Sequence, residues 1–350
     1  MRTFALVVAA LTGLARPVSA CGGGFGEGIA VDPDQTVIVR LEAGVETYVM
    51  RPYLCGATRE LGLILPVPSA LTSAPQQVDP ALFDELETLT QPRVEKVCGQ
   101  STRGCGSRAS SVGDSTPDRG GFDPGVNAID GGTVGIFDWV LLRATSTSAF
   151  TDWLDANGFP YQPASVAYFE SYVSRGWYFV AFKVTTRVAA APAGATVCGT
   201  FPMSVAFTVD ALVAPSRIAW VNRDGISSSS WRVYVVADDQ HAVYSPQYVE
   251  TRLYSGAVSK LSLGATSQVA AFASRTARIT KLNVWFPALA PDEDLTLTKV
   301  TSLDYRAVVY KYEDCGCAAT TGDLGVGLAL LLLGEIGARL ARRRAKRRAG

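Results

Sequence analysis

A single histidine, His241, serves a chain of 350 residues, and that scarcity removes a good deal of chemistry. Serine-hydrolase chemistry needs a nucleophile activated by a positioned base, most often a histidine. His241 stands in ADDQHAVY next to Asp238 and Asp239, but no G-x-S-x-G elbow exists, and the serines of GISSSSW (225–231) read as a polar turn. Structural zinc would require more histidine or a paired C-x-x-C, and neither is there. The glycines of GGGFGEG (22–28) follow no strand, so they make no phosphate loop. Asp123, Asn127 and Asp130 are spaced loosely like calcium ligands, yet the EF-hand order and its distal glutamate are missing. No cofactor is expected. Long apolar runs are scarce too: the longest window near the C-terminus, Leu324 to Ala338, has 15 residues and includes Glu335. At 1.5 Å per residue it reaches roughly 22 Å, short of the about 30 Å of a hydrocarbon core.

What is present at the two ends concerns export. Arg2, the apolar run Phe4 to Ala15, a break at Pro17 and the small residues Val18-Ser19-Ala20 form a secretory leader over residues 1–20. Ordinary cleavage after Ala20 and lipidation of Cys21 are both compatible with that exit. The C-terminal segment 315–350 runs Cys315-Gly-Cys317, then the short apolar stretch, then Arg339, Arg342, Arg343, Arg344, Lys346, Arg347 and Arg348. A basic cluster behind an apolar segment is retained on the cytoplasmic side. Both ends give the same topology, and the marginal span suits a hold needed only until processing. The expected partners are the export machinery, a C-terminal processing protease and membrane lipid, at the outer membrane or cell surface.

The formal charge of zero conceals a split. Of 32 basic and 32 acidic residues, the leader takes two basic and residues 318–350 take seven basic and two acidic, leaving 23 against 30, about −7, on residues 21–317. An acidic body argues against nucleic acid as a partner. Seven cysteines in an exported chain point to disulfides, with at least one cysteine left over. Cys98 and Cys105 lie close enough to close a short loop; Cys55 and Cys198 are candidates for each other or for Cys21.

The body reads as β-rich α+β with mainly antiparallel sheets and a few short helices. TVIVRL and ETYVMRPY (36–53) form a hairpin about Glu42-Ala43-Gly44, and LGLILPVPSA a buried strand stopped by Pro66 and Pro68. Asp79-Pro80 opens a helix through Leu82, Phe83, Leu86 and Leu89. Residues 99–132, rich in Gly, Ser, Asp and Pro, read as a loop or linker dividing an N-terminal part (21–98) from a C-terminal part (133–314). Thr133 to Arg143 is expected as one strand, Ser148 as the cap of a helix ending at Asn157-Gly158, and Ala164 to Ser174 as a second helix. WYFVAFKVTT, MSVAFTVD, RIAWVN, SWRVYVVAD, AVYSPQYVETRLY, RITKLNVWF, LTLTKV and YRAVVYKYE are expected strands.

Two stretches of the chain resemble known bacterial sequences. Cys315-Gly-Cys317, the Gly/Leu-rich stretch and the arginines are similar to the MYXO-CTERM sorting tail of myxobacterial surface proteins. That likeness implies a cut near the cysteine by a dedicated membrane protease, with Cys317 or Cys315 the matching residue. Cys21-Gly22-Gly23, LILPVPSA (63–70), TQP (90–92), WLDANGF (153–159), SRGWYFVAFKV (174–184) and YVVADDQHAV (234–243) resemble a secreted bacterial family of unknown function common in myxobacteria. It covers most of residues 21–310 and supplies no catalytic residues; the insertion at 99–132 departs from it.

Two kinds of side chain deserve weighing for function. Asp84, Glu85 and Glu87 are expected on a helix surface, and Asp292-Glu293-Asp294 in a solvated turn. Trp139, Trp177, Trp220 and Trp285 fall in apolar runs suited to core packing, whereas Trp153 and Trp231 border polar segments. The expectation is an exported structural or binding module with an unknown ligand. An envelope hydrolase using carboxylates and a permanent bitopic membrane protein are the competing readings.

Overall fold

The computed structural model describes residues 23–25, 30–31, 35–57, 61–98, 126–184, 196–221, 229–244, 247–286 and 292–313. These fall into a large unit, 23–93 with 126–307, and a small one, 94–98 with 308–313.

The large unit is built on two sheets. One has eight strands in the order β20 (Tyr305–Arg306), β17 (Val249–Ala257), β18 (Arg278–Phe286), β15 (Ser229–Ala237), β3 (Gln35–Glu42), β4 (Val45–Met50), β13 (Met203–Thr208) and β7 (Leu71–Gln77). The other has five: β1 (Gly23–Phe25), β6 (Gly62–Val67), β11 (Tyr178–Val184), β10 (Phe137–Ala144) and β9 (Val126–Val134). Two three-stranded sheets accompany them. One comprises β12 (Thr196–Thr200), β5 (Tyr53–Ala57) and β2 (Ala30–Val31); the other β14 (Leu212–Ala214), β19 (Leu295–Lys299) and β16 (His241–Val243). The described ladders of these four sheets are antiparallel apart from β3 against β15.

The two large sheets face each other. Val37, Val39, Tyr48, Val233 and Val235 from the eight-stranded sheet share one core with Leu63, Leu65, Trp139, Val180 and Phe182 from the five-stranded sheet. The alternate residues of the same strands point outward under helices. Ile38, Val49, Tyr234 and Ile279 meet Leu82, Phe83 and Leu86 of α1 (Ala81–Leu89) and Val269 of α4 (Gln268–Phe272). Ile64, Leu142 and Phe179 meet Phe150 and Leu154 of α2 (Thr147–Ala156) and Phe169 and Tyr172 of α3 (Val166–Ser174). The layers are helix, sheet, sheet, helix, the β-rich α+β class expected. Strands covered on both faces lose polar alternation, which is why GLILPV is buried throughout.

Local chemistry explains most elements. β3 and β4 join through Ala43 (φ 50°) and Gly44 (φ 76°), the two left-handed residues of a tight hairpin turn. Asp79 accepts from the Ala81 N–H at 2.9 Å at the start of α1. Gly158 (φ 66°) ends α2 and Gly176 (φ 71°) follows α3. β6 runs through Pro66 to Val67 instead of stopping; β1 pairs only with residues 62–64, so on that side the described ladder asks no N–H of Pro66.

Several expectations are corrected. Thr133–Arg143 is no single strand: Gly135 (φ 57°) folds it back, making β9 and β10 a hairpin. Residues 126–132, expected in the linker, form most of β9. Its glycines are there for closeness, since a Cβ on Gly132 would lie 3.2 Å from the Trp139 indole nitrogen and one on Gly131 3.0 Å from the Trp139 carbonyl. The N- and C-terminal parts meet in one sheet, where β3, β4 and β7 lie with β13, β15, β17, β18 and β20. The cap of α2 is Ser146, whose hydroxyl accepts from Ala149 N–H at 3.1 Å, not Ser148. Within RIAWVN, Arg217–Trp220 is a 3-10 turn.

In the small unit, β8 (Arg93–Cys98) pairs with β21 (Val308–Glu313) as a two-stranded ribbon.

Candidate functional site

One buried carboxylate stands behind an open concavity of the large unit. Asp294, at the threshold of β19, is 2 % exposed. Its Oδ1 accepts from the Tyr172 hydroxyl at 2.6 Å and from the Arg217 N–H at 3.0 Å, and its Oδ2 from Arg175 Nη2 at 3.0 Å. The Tyr172 oxygen in turn accepts the Ile218 N–H at 3.1 Å. Asp294 and Tyr172 thus satisfy the first N–H groups of the 3-10 turn, which is the physical reason a strand-like sequence turns there. Burial, and then the Asp294 charge, push the Tyr172 phenol well above its ordinary range. Ser216 accepts from Leu295 N–H at 2.9 Å and meets the Tyr248 hydroxyl at 3.1 Å, and Tyr248 donates to the Glu293 carbonyl. Helix α3, the 216–218 turn, the 292–295 segment and the approach to β17 are tied into one polar network.

Arg175 carries this network to the surface. Its Nε donates to the Ser171 carbonyl at 2.8 Å, and its guanidinium lies 4.2 Å from the Trp177 ring and 4.9 Å from the Tyr172 ring. With 40 % of the side chain exposed and one face stacked, it stands at the wall of an open cleft of about 780 Å³. Ser171, Ser174, Trp177, Arg217 and Thr296 share that wall, and Asp210, Asp292 and Glu293 add carboxylates. The mixture of an aromatic ring, planar charged groups and hydroxyls is suited to hydrogen-bonding a polar ligand. It includes no histidine.

The other sequence candidates are placed differently. Glu87 is no idle surface acid. It accepts from Tyr234 at 2.6 Å and from buried Lys281 at 2.9 Å and pairs with Arg232 at 3.4 Å. Burial opposes its charge, yet these three partners together hold Glu87 below the usual carboxylate range. Glu85 accepts from Ser267 and, at 3.1 Å, from Val269 N–H, capping α4. Only Asp84 stays exposed, 3.5 Å from Arg51. His241 is buried with Nδ1 3.0 Å from the Asp239 carbonyl, and burial lowers its basicity. Trp139 and Trp220 are buried as expected; Trp285, also expected in the core, is 49 % exposed and half-buried Trp177 lines the cleft, while Trp153 and Trp231, which border polar segments, are buried. Asn127 and Asp130 lie exposed on β9, apart from any metal-ligating group among the described residues.

Cys55 and Cys198 stand directly opposite each other in the β5–β12 pairing, so the sheet brings this predicted couple together at the backbone. Cys98 ends β8. Ala20, Cys21, Cys105, Cys315, Cys317, Arg342, Arg343 and Arg344 lie outside the described residues. Among the described residues no helix is long and apolar enough to cross a membrane. The residues sequence reasoning missed are Tyr172, Arg175, Ser216, Arg217 and Asp294 as a group. Tyr172 and Asp294 are 122 positions apart, so no spacing announces them.

No curated protein matches the chain. Among solved structures, the crystal structure of baculovirus P35 is similar at a TM-score of 0.38 and 12 % identity, over 78 % of this chain and 98 % of that one, a likeness too slight to carry an argument. Residues 17–298 match a family described as uncharacterized protein conserved in bacteria (DUF2330). Since that match spans most of the sequence, including every residue of the Asp294 network, the chain belongs to the DUF2330 family of bacterial proteins.

Proposed function

We propose that this chain is an exported binding protein held at the cell surface, and that the cleft beside Asp294 is its ligand site. The observation that carries the reading is the Trp177–Arg175 stack, pinned from behind by a buried carboxylate and open in front. Such pre-organisation spares a ligand the cost of ordering the side chains. The hydroxyl and carboxylate lining favours a hydroxyl-rich ligand, for which an exported protein finds envelope polysaccharide at hand. The leader and the Cys-Gly-Cys, apolar and arginine order support export, a MYXO-CTERM-type cut at Cys315 or Cys317, and a myxobacterial source. Facing Cys55 and Cys198 are proposed to form a disulfide, because opposed antiparallel positions lie about 4.5–5.5 Å apart at Cα, inside the range a disulfide spans.

The test is a calorimetric titration of the full chain with solubilised envelope polysaccharide. Saturable heat that Trp177→Ala and Arg175→Ala each reduce at least tenfold is expected. Equal binding by all three proteins removes the cleft from consideration. Release of reducing ends during the titration would instead favour the hydrolase reading, for which Asp210, Asp292 and Glu293 are the carboxylates in place. Intact-mass analysis of the protein from its native membrane tests the processing: recovery of residues 318–350 in the mature species would favour the bitopic reading.

A further inference from the structure

The wall between the main cleft and a neighbouring recess hangs on a second buried acid. Asp210 and Ala211 line both the cleft and a recess of about 520 Å³, Val213 lines the cleft and Leu212 the recess. This wall continues into β14, which among the described residues pairs with β19 alone, at the edge of its sheet. Leu212 and Ala214 pack in the core shared with the eight-stranded sheet, and the Val213 N–H between them donates to Glu46 Oε2 of that sheet at 3.0 Å. Glu46 is fully enclosed on β4, opposite Leu41 on β3 and Phe207 on β13. It shares a strand face with Tyr48 and Met50 of the apolar core. Its second oxygen, Oε1, has no hydrogen-bond partner among the described residues.

A carboxylate enclosed among apolar side chains with one N–H partner cannot hold a charge cheaply. Burial pushes Glu46 well above the usual carboxylate range, and the Val213 N–H opposes that only in part. The titratable groups around it do not reverse this. On β3, Arg40 and Glu42 flank Leu41 and sit on the opposite strand face, paired with each other at 3.5 Å. Asp210 precedes β14, and Asp238, Asp239, His241 and Lys299 line the recess, Lys299 being paired with Asp239.

We propose that Glu46 is a protonation latch on the β14 wall: as the neutral acid it fastens Val213 to the eight-stranded sheet, and its ionisation releases the wall the two concavities share. The latch rests on the Glu46–Val213 geometry and not on what the cleft binds. Its sign follows from linkage. The closed state keeps a proton that the open state, with an ordinary carboxylate, gives up above about pH 4.5. Closure is therefore complete below that pH and weakens as pH rises toward the closed-state value. His241 works in the opposite sense below about pH 6.5, and it does so in wild type and Glu46 variants alike.

Hydrogen exchange of the full chain, read by mass spectrometry from pH 5 to 9 and corrected for intrinsic rates, tests this. In wild type the opening equilibrium of residues 210–214 is expected to rise with pH, by up to about tenfold per unit. In Glu46→Gln that rise disappears, while β15 keeps the same protection in both proteins. Identical pH profiles for 210–214 in the two proteins would overturn the latch. Should Glu46→Gln not fold, the wild-type profile still decides, since opening of 210–214 that is flat with pH contradicts the proposal.

Discussion

Replacing Asp294 by alanine gives the sharpest energetic test of the polar network. The side chain is 1 % exposed and accepts three hydrogen bonds. Without it, the enclosed Tyr172 hydroxyl and the Arg217 N–H lose their acceptor, at about 1–3 kcal/mol for each group left unsatisfied. The Arg175 pair adds little, because that guanidinium is 40 % exposed and solvent replaces the carboxylate for about 0–1 kcal/mol. The total expected for Asp294→Ala is about 3–5 kcal/mol, nearly all of it from the two groups left without an acceptor. Asp294→Asn keeps an oxygen for Tyr172 and Arg217 and loses only the ion pair, so about 1 kcal/mol is expected. At about 2–4 °C per kcal/mol for a domain of this size, alanine lowers Tm by on the order of 10 °C and asparagine by a few degrees. Urea unfolding followed by circular dichroism gives the same differences from the midpoints. If both variants stay within about 0.5 kcal/mol of wild type, as ordinary surface substitutions do, the network does not hold the wall of the cleft.

Other outcomes follow from single contacts. Gly62→Ala places a Cβ 2.5 Å from Phe159 Cε1, and Phe159 is packed in the core, so a loss of about 1–3 kcal/mol in urea unfolding is expected. His241 is held neutral chiefly by burial, while the unfolded chain takes up its proton near pH 6.5. The stability it contributes is present above that pH and lost as pH falls, and His241→Gln should flatten the decline of the urea midpoint between pH 7.5 and 5.5. Peptides containing Cys55 and Cys198 are expected as one linked species under non-reducing digestion, and separate recovery of both without reductant would contradict their pairing.

Local features of the fold were legible in the sequence because their causes are local. Ala43-Gly44 between two β-branched runs specifies a hairpin, Asp79-Pro80 starts a helix, and Asn157-Gly158 ends one. β9 was hidden because composition cannot distinguish a glycine that loosens a chain from one that admits an indole; Gly132 over Trp139 is the second kind. Arg217–Trp220 reads as a strand by residue type and turns because Asp294 and Tyr172 receive its N–H groups. That dependence also hides the cleft from the sequence: an Asp-Glu-Asp run looks solvated until a tyrosine 122 positions away encloses one member. Trp285 is exposed and Trp231 buried for a similar reason. Exposure follows which layer covers a strand end, and alternation within the strand does not encode that.

Radical footprinting of the full chain, with and without solubilised envelope polysaccharide, tests the central claim most directly. Trp177 in the cleft and Trp285 on β18 are both reachable by solvent, so each reports on its own surface. The account expects oxidation of Trp177 to fall when the polysaccharide is added while that of Trp285 stays unchanged. Protection of Trp285 alone, or unchanged oxidation of both, would contradict it.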